Sequence, residues 1–280
     1  MLTNTFCHLP GIGPSAEERL WRTGILSWHD LERRASEVFS APKAIRITDG
    51  LHQSRAALAD GDIMFFLRRL DPTRIPRVYP HLGDTPTYLD IETTGLRRER
   101  ARVTTITAYR HGGFHVFVRG ANLQEFPAIA ESESLWITYN GARFDVPFIQ
   151  DEFGTQLDFS NHLDLCPVIR ALGSRGGLKG AEKALGVQRK HTECRNGADA
   201  VRLWQQHLDG TNADALKALV IYNAQDVLAL EALLAQAWRI TMAAFPLRTY
   251  CAPLNQPAPE TAWKTFCSLT TEYTRHVVCG

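Results

Sequence analysis

The sequence predicts an α/β protein: a mixed sheet flanked by helices, preceded by a small helical module. Three observations predict it. From Tyr88 the β-branched and aromatic runs begin as a close pair around a glycine turn, then alternate with helical segments. An antiparallel start followed by strand–helix alternation is the pattern of a mixed sheet covered by helices. Before Tyr88 the chain is helical up to about residue 70, and "DPTRIPRVYPHLGDTP", residues 71–86 with four prolines, reads as a linker or an irregular wrap.

The elements follow in order. Tyr88–Glu92 is a strand. Val103–Tyr109, the turn "RHGG" and Phe114–Val118 read as a hairpin. "LQEFPAIAE" is a short helix and "LWITYN" a fourth strand. "DVPFIQDEF" opens a helix that tolerates Pro147 in its first turn. Residues 162–165 suit a fifth strand. "GLKGAEKALG", "GADAVRLWQQHL" and "ADALKALVIYNAQDVLALEALLAQAWRI" are helical. The expected division is a helical module at 1–70, a proline-rich linker at 71–86, the α/β domain at 87–240 and a tail at 241–280 that packs on it.

A chain of 280 residues, 44% hydrophobic, has ample material for such a core. The net charge of +1 excludes a wholly basic, histone-like binder but leaves room for a local basic groove. No apolar run reads as long enough to span a membrane, and "MLTNTFCHLP" lacks the basic-then-apolar order of a signal peptide. The expectation is a soluble, cytoplasmic protein without membrane partners. None of the six cysteines forms a CxxC pair, so buried or free thiols are expected. Two metal alternatives are His191 with Cys194, and a cluster on Cys251, Cys267 and Cys279.

The chemistry concentrates in four acids. In "YLDIETTGL", Asp90 and Glu92 are two apart in a strand and project to one side, with Leu89 and Ile91 on the other. Like charges held together and buried require something positive, and no Lys or Arg lies in the strand. A divalent cation meets that need, and carboxylate oxygens suit Mg²⁺ or Mn²⁺. The alternative is an edge strand with solvated acids. Asp145 in "YNGARFDVPFI" starts a helix, where an N-cap is its plain role. Asn140 and Gly141 before it suggest a turn that lets the backbone approach a ligand. In the long helix, the apolar line Leu216, Leu219, Val220, Val227, Leu230, Leu234 carries Asn223 and Asp226 on or beside it. Tyr222 and Asp226 share a face. An aspartate there either meets a functional partner or sits on the helix shoulder with a lysine or water.

Taken together, the motifs resemble the DEDD 3′–5′ exonucleases of the ribonuclease H-like fold. "DIETTGL" is similar to their D-x-E signature, "NGARFD" to N-x-x-x-F-D, and "YNAQD" to the Y-x-x-x-D of the tyrosine (DEDDy) subclass. With "HLDLCPVIR" and "GLKGAEKALGVQR", residues 86–236 look like a YprB-type ribonuclease H-like domain.

That resemblance implies two-metal hydrolysis of phosphodiesters in single-stranded DNA or RNA with a 3′ end, with two Mg²⁺ or Mn²⁺ ions. Asp90 would bridge both ions, with Glu92 and Asp226 completing one site and Asp145 holding the other. Tyr222 would orient the attacking water. Backbone amides of the turn at Thr93, Thr94 and Leu96 would bind the terminal 3′ hydroxyl, and Leu96 would pack on the last base. Asn140 would order the loop or touch substrate. Asp164, at a position where such domains also carry an acid, would support the metal ligands or stand on the metal side as a further group, or simply cap the strand end. Arg97, Arg98, Arg100, Arg102, Arg143, Arg170, Arg175, Lys179 and Lys183 suit a phosphate backbone or, individually, a solvated face. Two further functions fit the same fold: a non-catalytic nucleic-acid-binding domain, and a ribonuclease H-like endonuclease or DNA-transposing enzyme.

In the N-terminal region "HLPGIGPSAEERLWRTGI" resembles a helix-hairpin-helix turn, in which Gly11 and Gly13 would expose amides to a phosphate. Ser15 and the acids after it would start the helix, and Leu20, Trp21 and Ile25 would pack the pair. No Lys or Arg closely flanks the turn in sequence, and a purely structural hairpin serves equally well.

Overall fold

The structure is a computed structural model that describes residues 1–246, apart from 111–112, 131–134, 156 and 189–195. The described residues fall into two compact units, 1–83 with 237–246, and 84–236.

The first unit is helical: α1 (Pro14–Arg22), α2 (Trp28–Val38), α3 (Ala41–Ala59) and α4 (Ile63–Leu67). The proline-rich stretch 71–86 carries a 3-10 helix, Ile75–His81, which packs with α4. Phe6, Ile25, Leu31, Ile47, Leu51 and Phe66 are fully buried. Helix α1 starts one residue ahead of the sequence expectation. Gly13 is its N-cap and Pro14, whose fixed φ suits the first turn, leads it, so Ser15 lies inside the helix. Glu17 is more than a first-turn acid. Buried, it accepts from the backbone N–H of Phe6 (2.6 Å) and Cys7 (3.1 Å) and pairs with Arg77 at 2.8 Å. A buried carboxylate with that many donors ties the N-terminal segment, α1 and the 3-10 helix together.

The second unit is built on five strands: β1 (Pro86–Thr93), β2 (Val103–Arg110), β3 (Gly113–Val118), β4 (Leu135–Thr138) and β5 (His162–Asp164). Their order is β3-β2-β1-β4-β5. β1, β2 and β3 are antiparallel neighbours, and β4 and β5 continue parallel to β1. The mixed sheet expected from the sequence is therefore present. The helices are α5 (Phe126–Ala130), α6 (Asp145–Phe153), α7 (Leu165–Ala171), α8 (Leu178–Leu185), α9 (Gly197–Leu208) and α10 (Ala215–Ala243).

Two clusters cover the sheet. Leu89, Ile91, Ile106, Ala108, Phe117 and Trp136 pack with Phe126 of α5 and with Phe148 and Ile149 of α6. Val116 and Val118 pack with Leu203 and Trp204 of α9 and with Leu216, Leu219 and Val220 of α10. Because strand side chains alternate, Asp90 and Glu92 face away from Leu89 and Ile91, toward the α10 side. In register, Asp90 lies opposite Thr107 and Glu92 opposite Thr105, and the pairing shifts between Glu92 and Thr93. Four polar residues of two strands thus occupy one patch on the same face as Val116 and Val118.

Helix α10 corrects one reading of the sequence. By length and composition alone it is apolar enough to cross a membrane, but its most apolar window is 72% buried inside the fold. Both faces of that helix are apolar because it serves as a core element, where hydrophobicity all round is expected.

Candidate metal centre

Three of the acids converge. One carboxylate oxygen each from Asp90, Glu92 and Asp226 lies within 4.8 Å of the others. Glu92 and Asp226 are buried, and Asp90 retains partial exposure. The strand supplies two of them through its two-residue repeat, and α10 supplies the third through a position on the border of its apolar stripe. Asp145, the fourth acid, is the first residue of α6 and is buried. It is not the side-chain N-cap that its position allowed, since Phe144 holds the cap position. Its carboxyl lies by two backbone amides that favour its ionised form, its own and that of Ile91 between the two β1 acids.

The electrostatics follow from this crowding. Burial, reinforced by the charges of Asp226, Asp145 and Glu92, raises the Asp90 carboxyl well above the usual carboxylate range, against the opposing hydrogen bond from Asn223. Burial also pushes Asp145 up to about 7, against its two backbone hydrogen bonds and with the charges of Asp164 and Asp226 adding to the rise. A site that disfavours its own negative charge is one that a cation stabilises. Oxygen donors around Mg²⁺ at about 2.1 Å lie roughly 3–4 Å apart, so three oxygens within 4.8 Å close on an ion with small side-chain rotations. The donors are hard oxygens without sulfur or imidazole, which suits Mg²⁺ and Mn²⁺ equally.

Tyr222 stands one turn before Asp226 on α10 and is buried, with the Lys179 ammonium 4.4 Å from its ring centroid. Lys179 therefore has a specific neighbour beside the acids. Arg98, by contrast, pairs with Asp151 at 2.6 Å on the surface.

The loops that carry the site are fastened by Asp164. It caps α7 by accepting from the Cys166 N–H (2.9 Å), and it also accepts from the N–H groups of Asn140 (2.7 Å) and Ala142 (3.2 Å). Of the two roles the sequence left open, the strand-end cap is the one seen, extended to hold the loop that leads to Asp145. Asn140 takes a left-handed conformation, φ 63°, which asparagine tolerates better than most residues. Gly141 also has a reason within the fold. A Cβ there would stand 2.1 Å from Thr138 Oγ1, so the chain's own strand excludes any side chain. Thr138 cannot yield easily, because its hydroxyl is bonded to His162 Nε2 at 2.8 Å. Gly141→Ala is expected to lower stability by about 1–3 kcal/mol, as overpacking does. An unchanged melting temperature for that variant would show the loop to be more pliant than drawn.

The turn after β1 needs one correction. Thr94 is tied both ways to Arg102: its N–H donates to the Arg102 carbonyl (2.9 Å) and its hydroxyl accepts from the Arg102 N–H (3.0 Å). Its amide is thus engaged in closing the 94–102 loop and does not face a ligand. Thr93 is buried and its hydroxyl donates to the Gly95 carbonyl at 2.7 Å. Leu96 is 83% exposed, the most exposed of the large apolar side chains among the described residues.

Sequence reasoning missed Asn223. Fully buried on α10, it donates from Nδ2 to Asp90 Oδ2 at 2.7 Å. Its Oδ1 accepts from the hydroxyls of Thr107 (2.7 Å) and Thr105 (3.1 Å). The available signal was a carboxamide on the apolar line of a core helix, which demands partners at both ends.

Gly11 and Gly13 belong to the other unit. Gly11 has φ 73°, Gly13 caps α1, and Lys43 Nζ donates to the Gly11 carbonyl at 3.0 Å. A cation absent from the flanking sequence thus reaches the turn from 32 residues away. Cys7 and Cys166 are free thiols, and burial pushes Cys7 up to about 12. His191, Cys194 and the tail cysteines lie outside the described residues.

The family profile RNase_H_2, of the RNase_H superfamily, matches residues 87–238. The chain belongs to the RNase H superfamily. The matched stretch contains all four acids and Tyr222, and the superfamily's fold together with the acidic cluster fits a metal-dependent nuclease. Among solved structures the chain is similar to the family B DNA polymerase from the hyperthermophilic archaeon Pyrobaculum calidifontis, with 14% identity and a TM-score of 0.44. That likeness covers 54% of this chain and 24% of the polymerase. No curated protein matches.

Proposed function

We propose that this RNase H superfamily member is a 3′–5′ exonuclease that hydrolyses single-stranded DNA or RNA with two Mg²⁺ or Mn²⁺ ions. The observation that carries the reading is the convergence of Asp90, Glu92 and Asp226 oxygens within 4.8 Å, with the buried Asp145 close enough to act on Asp90. Bound divalent ions would supply the positive charge that polarises the scissile phosphate and acidifies a water. The residues do the rest. Asp90, Glu92 and Asp226 would hold one ion, and Asp145 would contribute to holding the other. Tyr222 hydrogen-bonds to the attacking water and aims it. The exposed Leu96 side chain stacks on the terminal base, and the turn amides of Gly95 and Leu96, in place of that of Thr94, are offered to the 3′ hydroxyl.

Digestion of 5′-labelled single strands with Mg²⁺ or Mn²⁺ tests this reading. A ladder shortening from the 3′ end is expected. Internal cuts on a circular substrate would instead favour an endonuclease, and binding without cleavage a non-catalytic domain.

A further inference from the structure

Asn223 sits at the junction of two strands and a helix, 0% exposed, with every bond it makes directed at the acidic patch. Thr105 and Thr107 are the cross-strand partners of Glu92 and Asp90, so the sheet itself places their hydroxyls beside the carboxylates. The helix places Asn223 over them. Its two ends are not interchangeable. Facing an ionised carboxylate, only the NH₂ end makes a bond, and the carbonyl end must then receive the hydroxyl protons of both threonines. The chain of bonds is therefore polarised in one direction, from Thr105 and Thr107 through Asn223 to Asp90 Oδ2.

We infer that Asn223 is a positioning residue of the metal centre: clamped by Thr105 and Thr107, it fixes the carboxylate of Asp90 so that its other oxygen is presented to a divalent cation. The inference rests on the metal-binding part of the reading above and adds a residue that the four acids and Tyr222 do not include. The physical reason is preorganisation. Asp90 is the most exposed of the three converging acids and is surrounded by like charge. Without a fixed donor, repulsion would turn its carboxylate away from Glu92 and Asp226 toward solvent. A neutral donor holds it in place without contributing a cation that would compete with the metal. An aspartate in place of Asn223 would add charge, and a lysine would occupy the cation's place, so a carboxamide meets both requirements. Groups that orient a metal ligand in this way typically change metal affinity about 10–100-fold when removed.

The test measures Mn²⁺ binding directly, by the decrease of the free-ion electron paramagnetic resonance signal, on the full chain. Asn223→Leu keeps the branched heavy-atom outline and removes the donor. The pair Thr105→Val with Thr107→Val keeps Asn223 and removes only its clamp, and serves should the leucine variant fail to fold. Leu219→Ala, a core change on the same helix, controls for loss of stability alone. We expect roughly tenfold or greater weakening of Mn²⁺ binding for Asn223→Leu, a smaller weakening for the valine pair, and none for Leu219→Ala. Raising Mn²⁺ is expected to restore the cleavage rate of Asn223→Leu, because occupancy and not the fold is what it lacks. Folded variants that bind Mn²⁺ as tightly as the wild type would overturn the inference while leaving the nuclease reading intact. A wild-type chain that binds no Mn²⁺ would overturn both.

Discussion

Replacing Asp90 with asparagine is expected to abolish cleavage and yet to stabilise the metal-free protein. The two effects have one cause. At neutral pH the folded chain holds Asp90 among the charges of Asp226, Asp145 and Glu92, and burial adds to the strain on its ionised form. Asparagine removes that charge while keeping the shape and one oxygen. Without metal, the melting temperature is therefore expected to rise, by about 2–4 °C for each kcal/mol of relieved repulsion. With metal, the order reverses. Mn²⁺ raises the melting temperature of the wild type by mass action, and much less that of the variant, which has lost a charged ligand. Loss of several kcal/mol of transition-state stabilisation, about 4, corresponds to roughly a thousandfold lower turnover. The measurement is differential scanning fluorimetry of both proteins in EDTA and in Mn²⁺, alongside the strand-shortening assay. A variant that melts lower than the wild type in EDTA would mean that Asp90 is stabilised by something other than a cation. An active variant would remove Asp90 from the chemistry altogether.

What the sequence disclosed depends on how far apart the interacting residues are. The two-residue repeat of β1 is a local rule, so the common face of Asp90 and Glu92 was legible. The five strands and the flanking helices were legible for the same reason, since each carries its period within its own span. The N-terminal turn looked bare of cations because Lys43 is 32 residues from Gly11, and only the packing of α3 brings it there. Glu17 read as an ordinary first-turn acid because Arg77, its buried partner, is 60 residues on. Asn223 was invisible as a partner of Asp90 because the bond spans 133 residues and needs both the sheet register and the rotation of α10. Gly141 was read as room for a ligand. That a side chain there would meet Thr138, three residues earlier, was not legible, because no local preference announces that turn geometry. Helix α10 was underread: a segment apolar all round reaches the length and composition of a membrane span even where protein surrounds it.

The second large effect concerns pH. An ordinary buried carboxylate with cationic partners stabilises a fold as pH rises through its pKa. Asp145 and Asp90 should do the reverse. Both are raised in the folded chain, Asp145 from 3.8 to about 7. Between those limits the folded state binds more protons than the unfolded one. The stability that Asp145 contributes is thus complete below about pH 4 and is lost as pH climbs toward 7, by about 1.4 kcal/mol per pH unit, and the raised Asp90 carboxyl acts in the same direction. Metal-free protein is therefore expected to lose stability across that window as these two carboxyls ionise. Divalent metal must displace the same protons to bind. Its affinity is expected to climb with pH, about tenfold per unit for each proton released, and to level off once the acids are ionised. Calorimetric titration with Mn²⁺ in two buffers of different ionisation enthalpy counts those protons. Near pH 6, release of one proton or more per binding event is expected for the wild type, and a smaller release for Asp145→Asn. Binding without proton release at that pH would mean that the acids are already ionised in the empty site, and that some fixed positive charge, not the incoming ion, offsets their repulsion.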